Sequence, residues 1–444
     1  MGPKQTFNLT LTDDKSGLSG VTVWLEQAGN RREILSQTFP GRRWGRGGQE
    51  RQVEIPLTVE AKAWGFQEGP ATLTVNARDY SIMGWFRGNR AELVRPLTID
   101  LTPLRLTFTS INEVLNQGGT GLVTYQVNKP TAKTGIVVNG VFYPGYPVKG
   151  QDSGRHLAFF AVPYDLPQPL TLELLAVDLG GAEIHTKLLY RLKPRKWKAD
   201  TLTIGDDFLQ RKVAEFQEMN PKLRNLSEPL TIFLQINQEE RLKNDQTVLE
   251  VCQQSQPEPL WQGAFLRLPN SKPMAGFADH RTYMHNGREI DKQVHLGQDL
   301  ASIERAEVPA GNTGVVVFTG PLGIYGNSVM IDHGLGLFSL YSHLSEIKVD
   351  KNQTVKRGEV IGRTGASGMA GGDHLHFAIM VHGHFVNPVE WWDPHWLKDQ
   401  VNRQFAIVGL PVAPGKAVMT APVPGSEPAP TPQKKKKKKR PKGD

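Results

Sequence analysis

The chain is poor in cysteine and in long apolar runs. Its 444 residues include one cysteine, Cys252, which excludes an intrachain disulfide and a structural zinc site built from several thiolates. No stretch reaches the roughly 18–20 apolar residues that cross a bilayer, and no signal-peptide core precedes the strand-like pattern that begins at Thr6. These features leave two expectations open, a cytoplasmic protein and an exported protein whose export or anchor segment is absent from this chain.

The folded part of the chain carries little net charge, although the whole chain is at +8. The last residues, from Lys434 to Asp444, supply eight cations and one anion, so the remainder is near neutral, 8 − 7 = +1. A lysine run without interleaved aromatic residues shows no base-reading chemistry, and no nucleic acid is expected as a partner. We keep two interpretations of this run, attraction to anionic polymers or lipid headgroups and a solvated tail.

The periodicity of apolar residues divides the chain into five segments. Alternation with period two, broken by turn residues, predicts two immunoglobulin-like β-sandwiches. A change to a helical stripe of apolar residues from Phe208 to Phe216 predicts a connector, and alternation rich in glycine then predicts an antiparallel β domain. The fold class is therefore mainly β. The predicted boundaries are 5–103 and 104–195 for the sandwiches, 196–258 for a short helical connector, 259–396 for the C-terminal β domain and 397–444 for a disordered tail rich in proline and lysine.

Four histidines and one aspartate lie in three short clusters near the C-terminus: His295 with Asp299, His343, and His374 with His376. Residues an even number apart on a strand face the same way, so each pair projects its side chains to one side. Three protein ligands and an open fourth position are typical of catalytic zinc. A lone His-x-His is often structural, and the second such pair, His382 and His384, is predicted to bracket a hairpin turn.

These clusters, in this order, resemble the lysostaphin-type (LytM-like) zinc metallopeptidases, whose signature is His-x-x-x-Asp, then His-Leu after a strand, then His-x-His-Phe. The resemblance spans residues 276–392 and includes Gly326-Asn-Ser-Val-Met-Ile-Asp-His333-Gly. It implies a lysostaphin-type peptidase domain with one zinc ion per chain. It also implies metal ligands at His295, Asp299 and His376, and catalytic histidines at His343 and His374.

The division of proton transfer between the two catalytic histidines stays open. Because the His-Glu-x-x-His motif of other zinc proteases is absent from the sequence, histidines are expected to replace its glutamate base. His333 is predicted to be structural.

The resemblance implies a zinc-dependent endopeptidase that hydrolyses peptide cross-links of bacterial peptidoglycan through a metal-activated water, with two histidines assisting. Such an enzyme would work in the periplasm or cell envelope, where anionic envelope polymers or lipid could contact the lysine-rich tail. Two alternatives remain, a non-catalytic regulator or scaffold of other cell-wall hydrolases and a zinc amidase that acts on peptidoglycan. The sandwiches are expected to position the catalytic domain or to restrain it.

Overall fold

The computed structural model describes residues 1–42, 47–81, 88–149, 154–166 and 169–410. The predicted mainly β class is confirmed.

In the first sandwich, β1 pairs with β4, a second sheet has the order β3-β2-β5-β6, and both contribute to one apolar core. Alternation produces this core: along β4, Ile55, Leu57 and Val59 are buried and the residues between them are exposed. The strands are Gln5–Thr12 (β1), Leu18–Gln27 (β2), Asn30–Thr38 (β3), Gln52–Val59 (β4), Gly69–Asp79 (β5) and Arg90–Ile99 (β6).

The second sandwich has two four-stranded antiparallel sheets, with the orders β11-β10-β14-β15 and β12-β13-β9-β7. The short β16 pairs in parallel with β8. The apolar core of this unit is continuous with that of the C-terminal domain, so the two units pack as neighbours. The strands are Leu106–Ile111 (β7), Leu115–Asn116 (β8), Thr120–Val127 (β9), Thr131–Val138 (β10), Val141–Pro144 (β11), Tyr146–Pro147 (β12), Arg155–Ala161 (β13), Leu172–Asp178 (β14), Glu183–Lys187 (β15) and Leu192–Lys193 (β16).

The segment predicted as a helical connector begins with a strand, which corrects that prediction. This strand, Ala199–Thr203 (β17), pairs in parallel with the first long strand of the C-terminal domain. Its alternation of threonine and apolar residues is a β pattern, too short to stand out beside the helices that follow. The predicted apolar stripe of α1 is buried at Leu209, Val213 and Phe216. The helices are Asp206–Met219 (α1), Pro229–Gln235 (α2) and Arg241–Val251 (α3), with helical turns at Pro221–Asn225 and Ile236–Glu240.

The C-terminal domain is built on a large antiparallel sheet with the order β18-β21-β29-β25-β24-β23-β27, and β30 pairs with β29. Two smaller sheets, β17-β19-β20 and β22-β28-β26, flank it. His382 and Gly383 form the turn of the β29–β30 hairpin, at the predicted position. The strands are Lys272–Pro273 (β18), Asp279–His285 (β19), Arg288–His295 (β20), Gln298–Ala301 (β21), Glu307–Pro309 (β22), Gly314–Pro321 (β23), Asn327–Gly334 (β24), Leu337–Leu344 (β25), Glu346–Ile347 (β26), Thr354–Val355 (β27), Val360–Arg363 (β28), Leu375–Val381 (β29) and His384–Val386 (β30).

The prediction of disorder from residue 397 onward is wrong for its first part, because helices continue to residue 408. Leu397, Val401 and Phe405 recur every four residues and are buried in the core that the second sandwich shares with the C-terminal domain. The rest of the predicted tail, 411–444, lies outside the described residues. Within the described ranges, every helix falls short of the length and apolarity that a bilayer crossing requires. The helices are Pro388–Trp392 (α4), Pro394–Trp396 (α5) and Arg403–Val408 (α6), with a helical turn at Leu397–Asn402.

Candidate metal centre

Three strands, β20, β21 and β29, bring His295, Asp299 and His376 together. His295 ends β20, Asp299 lies in β21, and the β21–β29 register places Asp299 directly opposite His376. Directly opposed residues on one face of an antiparallel pair have their Cβ atoms about 5 Å apart. All three side chains are buried, at 6%, 7% and 4% exposure. The pairing of β21 with β29 therefore joins two sequence clusters that lie far apart in the chain.

The ligand atoms of these residues form a nearly equilateral triangle. Oδ1 of Asp299 lies 2.9 Å from Nε2 of His295 and 2.9 Å from Nδ1 of His376, and the two nitrogens are 3.0 Å apart. Zinc bonds to such ligands are about 2.0–2.2 Å long, so one ion above the triangle reaches all three atoms. Among the described residues, this is the group whose ligand atoms converge closely enough to hold a metal ion.

The hydrogen bonds around the triangle favour a cation inside it. Nδ1 of His295 lies 2.8 Å from the carbonyl oxygen of Gly276, and in the neutral ring it donates the proton to that oxygen. Nε2 then presents a lone pair to the carboxylate oxygen of Asp299. Two electron-rich atoms at 2.9 Å repel each other unless a proton or a metal ion lies between them. The residues present therefore fit a divalent metal ion.

Asp299 is held in its charged form by its surroundings. Burial alone would raise the pKa of its carboxyl, but His295 and hydrogen bonds from the histidines hold that pKa well below its usual range. The second oxygen, Oδ2, accepts a hydrogen bond from Nη2 of Arg281 at 3.0 Å, which is also an ion pair. One carboxylate oxygen is thus oriented by arginine while the other faces the histidines.

His343 and His374 lie beside the triangle, with their ring centroids 4.8 Å apart. Nδ1 of each is 2.8 Å from a backbone carbonyl oxygen, that of Ser367 for His343 and that of Gly372 for His374. These contacts place the neutral-ring proton on Nδ1 of both rings, and Nε2 of His374 lies 3.6 Å from Oδ1 of Asp299. His343 adopts φ of 63°, a conformation that is uncommon for a residue with a side chain and is concentrated at functional sites.

The two histidines differ in their protonation. Burial, with repulsion from His374 and His376, lowers the pKa of His343 well below its usual value. Burial acts in the same direction on His374, but the hydrogen bond and negative charge of Asp299 outweigh it and raise the pKa of His374. The neutral form of His343 is thus favoured, and His374 more readily holds a proton.

A cavity of about 660 Å³ contains all five predicted site residues and extends to the connector. Its wall includes residues that sequence analysis did not single out: Asp200, Thr201, Leu202, Thr203, Ile204, Phe233, Arg281 and Met369. Arg281, Ser367 and Gly372 acquire roles only through long-range pairing and turns, so no local pattern marks them. Tyr283 also lines the cavity.

The remaining histidines of interest lie elsewhere. His333 is fully buried, and its two ring nitrogens contact the carbonyl oxygen of Thr313 and the hydroxyl of Ser339. Burial lowers its pKa to about 4. His382 and His384 pack near Tyr143 of the second sandwich. These positions agree with structural roles.

Residues 293–388 match peptidase family M23. The "DD-carboxypeptidase/endopeptidase Mpg" of Neisseria meningitidis serogroup B is 42% identical over 97 residues, which are 22% of this chain and 22% of that protein. The "Peptidoglycan DD-endopeptidase ShyA" of Vibrio cholerae serotype O1 is 41% identical over 103 residues, 23% of this chain and 24% of that protein. The matched segment thus spans about a quarter or less of these relatives.

A solved structure with similarity to this chain is the catalytic domain of lysostaphin from Staphylococcus simulans, 28% identical, covering 28% of this chain and 94% of that one at a TM-score of 0.24. The family match falls on the C-terminal part of the chain, where the histidine clusters lie. Residues 293–388 of this chain are therefore a domain of peptidase family M23.

Proposed function

We propose that this protein is a zinc-dependent endopeptidase that hydrolyses peptide cross-links of bacterial peptidoglycan. The single observation that carries the proposal is the triangle of His295, Asp299 and His376, with His343 and His374 beside it in one cavity. Two relatives are named as endopeptidases, and one of those names specifies peptidoglycan. The substrate implies a place in the periplasm or cell envelope.

The site residues have two proposed roles, metal binding and proton transfer. His295, Asp299 and His376 would hold the ion, with Arg281 and the carbonyl of Gly276 orienting two of them. A bound zinc ion supplies Lewis-acid polarisation of a peptide carbonyl and a water nucleophile at neutral pH.

His343, neutral and held by Ser367, would accept a proton from the attacking water. His374, whose pKa is raised, would donate a proton to the leaving amine or stabilise the oxyanion.

The cavity suits a peptide rather than a sugar chain alone. Its described wall combines the polar site with apolar side chains from the connector, including Leu202, Phe208 and Phe233. Peptide cross-links are extended and carry both polar amides and apolar side chains, which such a wall can contact. Anionic envelope polymers or lipid stay candidate contacts of the lysine-rich tail.

The experiment that tests the proposal is digestion of purified sacculi, with the released fragments identified by mass spectrometry. We expect loss of cross-linked fragments and appearance of uncross-linked stem peptides still attached to sugar. The variant His376→Ala should abolish release, and His395→Ala, an exposed histidine outside the cavity, should not. Free glycan strands beside intact cross-linked peptides would identify an amidase instead. Tight zinc binding without any release would identify a non-catalytic regulator or scaffold.

A further inference from the structure

The strand β17 has one edge paired and one edge without a partner among the described residues. Its sheet has the order β17-β19-β20, so β17 is an edge strand. The N–H of His280 donates to the carbonyl of Lys198, and the N–H of Ile204 donates to the carbonyl of Met284, both at 2.8 Å. These two bonds begin and end the parallel ladder between β17 and β19.

The register of this ladder determines which backbone groups point outward. In a parallel pair, alternate residues of a strand direct both N–H and C=O to the same neighbour. With Ala199 opposite His280, residues Asp200 and Leu202 bond to β19. Thr201 and Thr203 therefore direct their N–H and C=O groups away from β19, and their side chains are exposed.

This outer edge borders the same cavity as the metal centre. Five consecutive residues, 200 to 204, line the cavity together with the predicted ligands and catalytic histidines. Successive side chains of a strand point to opposite faces, so a run of five lining residues means that the backbone edge borders the cavity. The edge is also close to the ligands, because Asp200 is opposite Arg281, whose guanidinium contacts Asp299.

An unpaired strand edge that faces a cavity is a template for another extended chain. Peptide-binding proteins use such edges by adding the peptide as one more strand, where main-chain hydrogen bonds provide the affinity. Thr201 and Thr203 offer two donor–acceptor pairs about 6.6 Å apart, the repeat of an extended peptide. Met274, exposed by 61%, and Tyr283 lie along the same cavity and can contact side chains of that peptide.

We propose that the outer edge of β17 is a binding site for the extended peptide of the substrate, which pairs with the backbone of Thr201 and Thr203. This inference rests on the proposed function for the identity of the peptide, a stem peptide of the peptidoglycan cross-link. It assigns substrate binding to the connector, outside the segment 293–388 that matches the peptidase family. The peptide then lies with one end over the triangle of ligands.

The first test compares Thr201→Pro with Thr201→Val on soluble cross-linked muropeptide dimers. Proline removes the outward N–H, and an edge strand tolerates it there because no ladder bond is lost. Valine keeps the N–H and the branched shape and removes only the hydroxyl. We expect Thr201→Pro to raise KM about tenfold with kcat little changed, and Thr201→Val to raise KM less, because valine retains the backbone N–H. Thr203→Pro and Thr203→Val form a second pair if Thr201→Pro fails to fold.

The second test needs neither cleavage nor a proline variant. The full chain is labelled with ¹⁵N-threonine, and the amide signals of Thr201 and Thr203 are assigned from their loss in the two valine variants. An uncross-linked stem peptide from the same sacculi is then titrated in. We expect both amide signals to move downfield, while that of Thr282, whose N–H bonds to β17, stays in place.

The outcomes separate the inference from the proposed function. Shifts at Thr201 and Thr203 without cleavage of dimers would support the binding site and contradict the endopeptidase. Two outcomes would overturn the binding site and leave the endopeptidase intact. In the first, both proline variants cleave dimers with unchanged KM. In the second, the protein cleaves dimers but the amide signals of Thr201 and Thr203 do not shift on titration. Equal losses in the proline and valine variants would also overturn it, because they would point to the hydroxyl rather than the backbone.

Discussion

Glu390 in α4 of the C-terminal domain accepts a hydrogen bond from the backbone N–H of Thr120 in the second sandwich, at 2.8 Å. Its other carboxylate oxygen accepts one from Nδ2 of Asn116 at 2.7 Å. The neighbouring Trp391 donates from its indole to the hydroxyl of Thr120 at 3.0 Å and packs on Phe159. A buried carboxyl, 5% exposed, thus joins two units through directional contacts.

This joint is expected to make stability depend on pH. Burial is the largest influence on Glu390 and raises its pKa to about 7, against the opposing hydrogen bonds from Thr120 and Asn116. Since the pKa is higher in the folded state than its ordinary value of 4.5, the protonated form favours folding. The contribution of Glu390 to the free energy of unfolding should be greatest below pH 4.5. It should fall as the pH rises toward about 7 and stay constant above that pH. The shift corresponds to about 3 kcal/mol.

The variant Glu390→Gln tests this dependence, because glutamine stays neutral and can accept one of the two hydrogen bonds. Urea unfolding followed at a series of pH values should show a flatter profile between pH 4.5 and 7 than the unsubstituted chain. Glu113, exposed and paired with Arg403 at the same junction, provides the control Glu113→Gln, which should keep the original slope. Identical slopes for the chain and Glu390→Gln would contradict the prediction.

Helix α1 holds the loop that orients His343. Nζ of Lys212 donates to the carbonyl of Ala366 at 2.8 Å and to Glu215 at 2.7 Å, and Glu215 accepts from the N–H of Gly368 at 2.7 Å. The residue between, Ser367, offers its carbonyl to Nδ1 of His343. Two side chains from the connector therefore fix the backbone that sets the tautomer of a proposed catalytic histidine.

Removing this support should slow the chemical step more than it weakens binding. In Glu215→Ala the loop is free to move, and misplacement of His343 by a fraction of an ångström should lower kcat by roughly ten- to a hundredfold, with KM and bound zinc little changed. Rate measurements on muropeptide dimers give kcat and KM, and metal analysis gives the amount of bound zinc. Glu218→Ala, an exposed position on the same helix, is the matched control. A rise in KM with unchanged kcat would indicate a role in substrate binding instead.

Local patterns predicted much of this architecture and the residue types of the site, but not the contacts between distant segments. The period of two over residues 374–376 predicts that His374 and His376 share one face, because side-chain alternation is a property of extended backbone, and both side chains line the cavity. The pairing of β17 with β19 joins segments about eighty residues apart, and no local periodicity encodes it. Arg281 and Ser367 likewise acquire their roles from strand register and a turn. The helical segment from residue 397 to 408 differs from the predicted disorder, because the proline- and lysine-rich composition of the later residues does not extend to it.

Removal of the metal should affect both activity and stability. An ion that binds the folded chain and not the unfolded one stabilises the fold, so a chelator should abolish cleavage and lower the melting temperature. Added zinc should restore both. Asp299→Asn keeps the shape of the side chain and removes the charge that faces His295 and His376, so it should weaken zinc binding by at least about tenfold. Cleavage that persists after exhaustive chelation would contradict the metal-dependent proposal.

Gly297, between the ligands His295 and Asp299, packs against the ring of His376. A Cβ at this position would overlap Cε1 of His376, lie 2.5 Å from its Nε2, and lie 2.9 Å from the carbonyl oxygen of Phe377. Since that backbone belongs to the paired strand β29, the histidine ring must move, and Gly297→Ala should lose zinc affinity and cleavage together. The control is Gly371→Ala, where a Cβ meets no atom within 4 Å and φ is not in the left-handed region. Circular dichroism establishes that both variants fold. If folded Gly297→Ala binds zinc as tightly as the unsubstituted chain, His376 can shift without leaving the ion. That result would contradict a closely fixed triangle of ligand atoms.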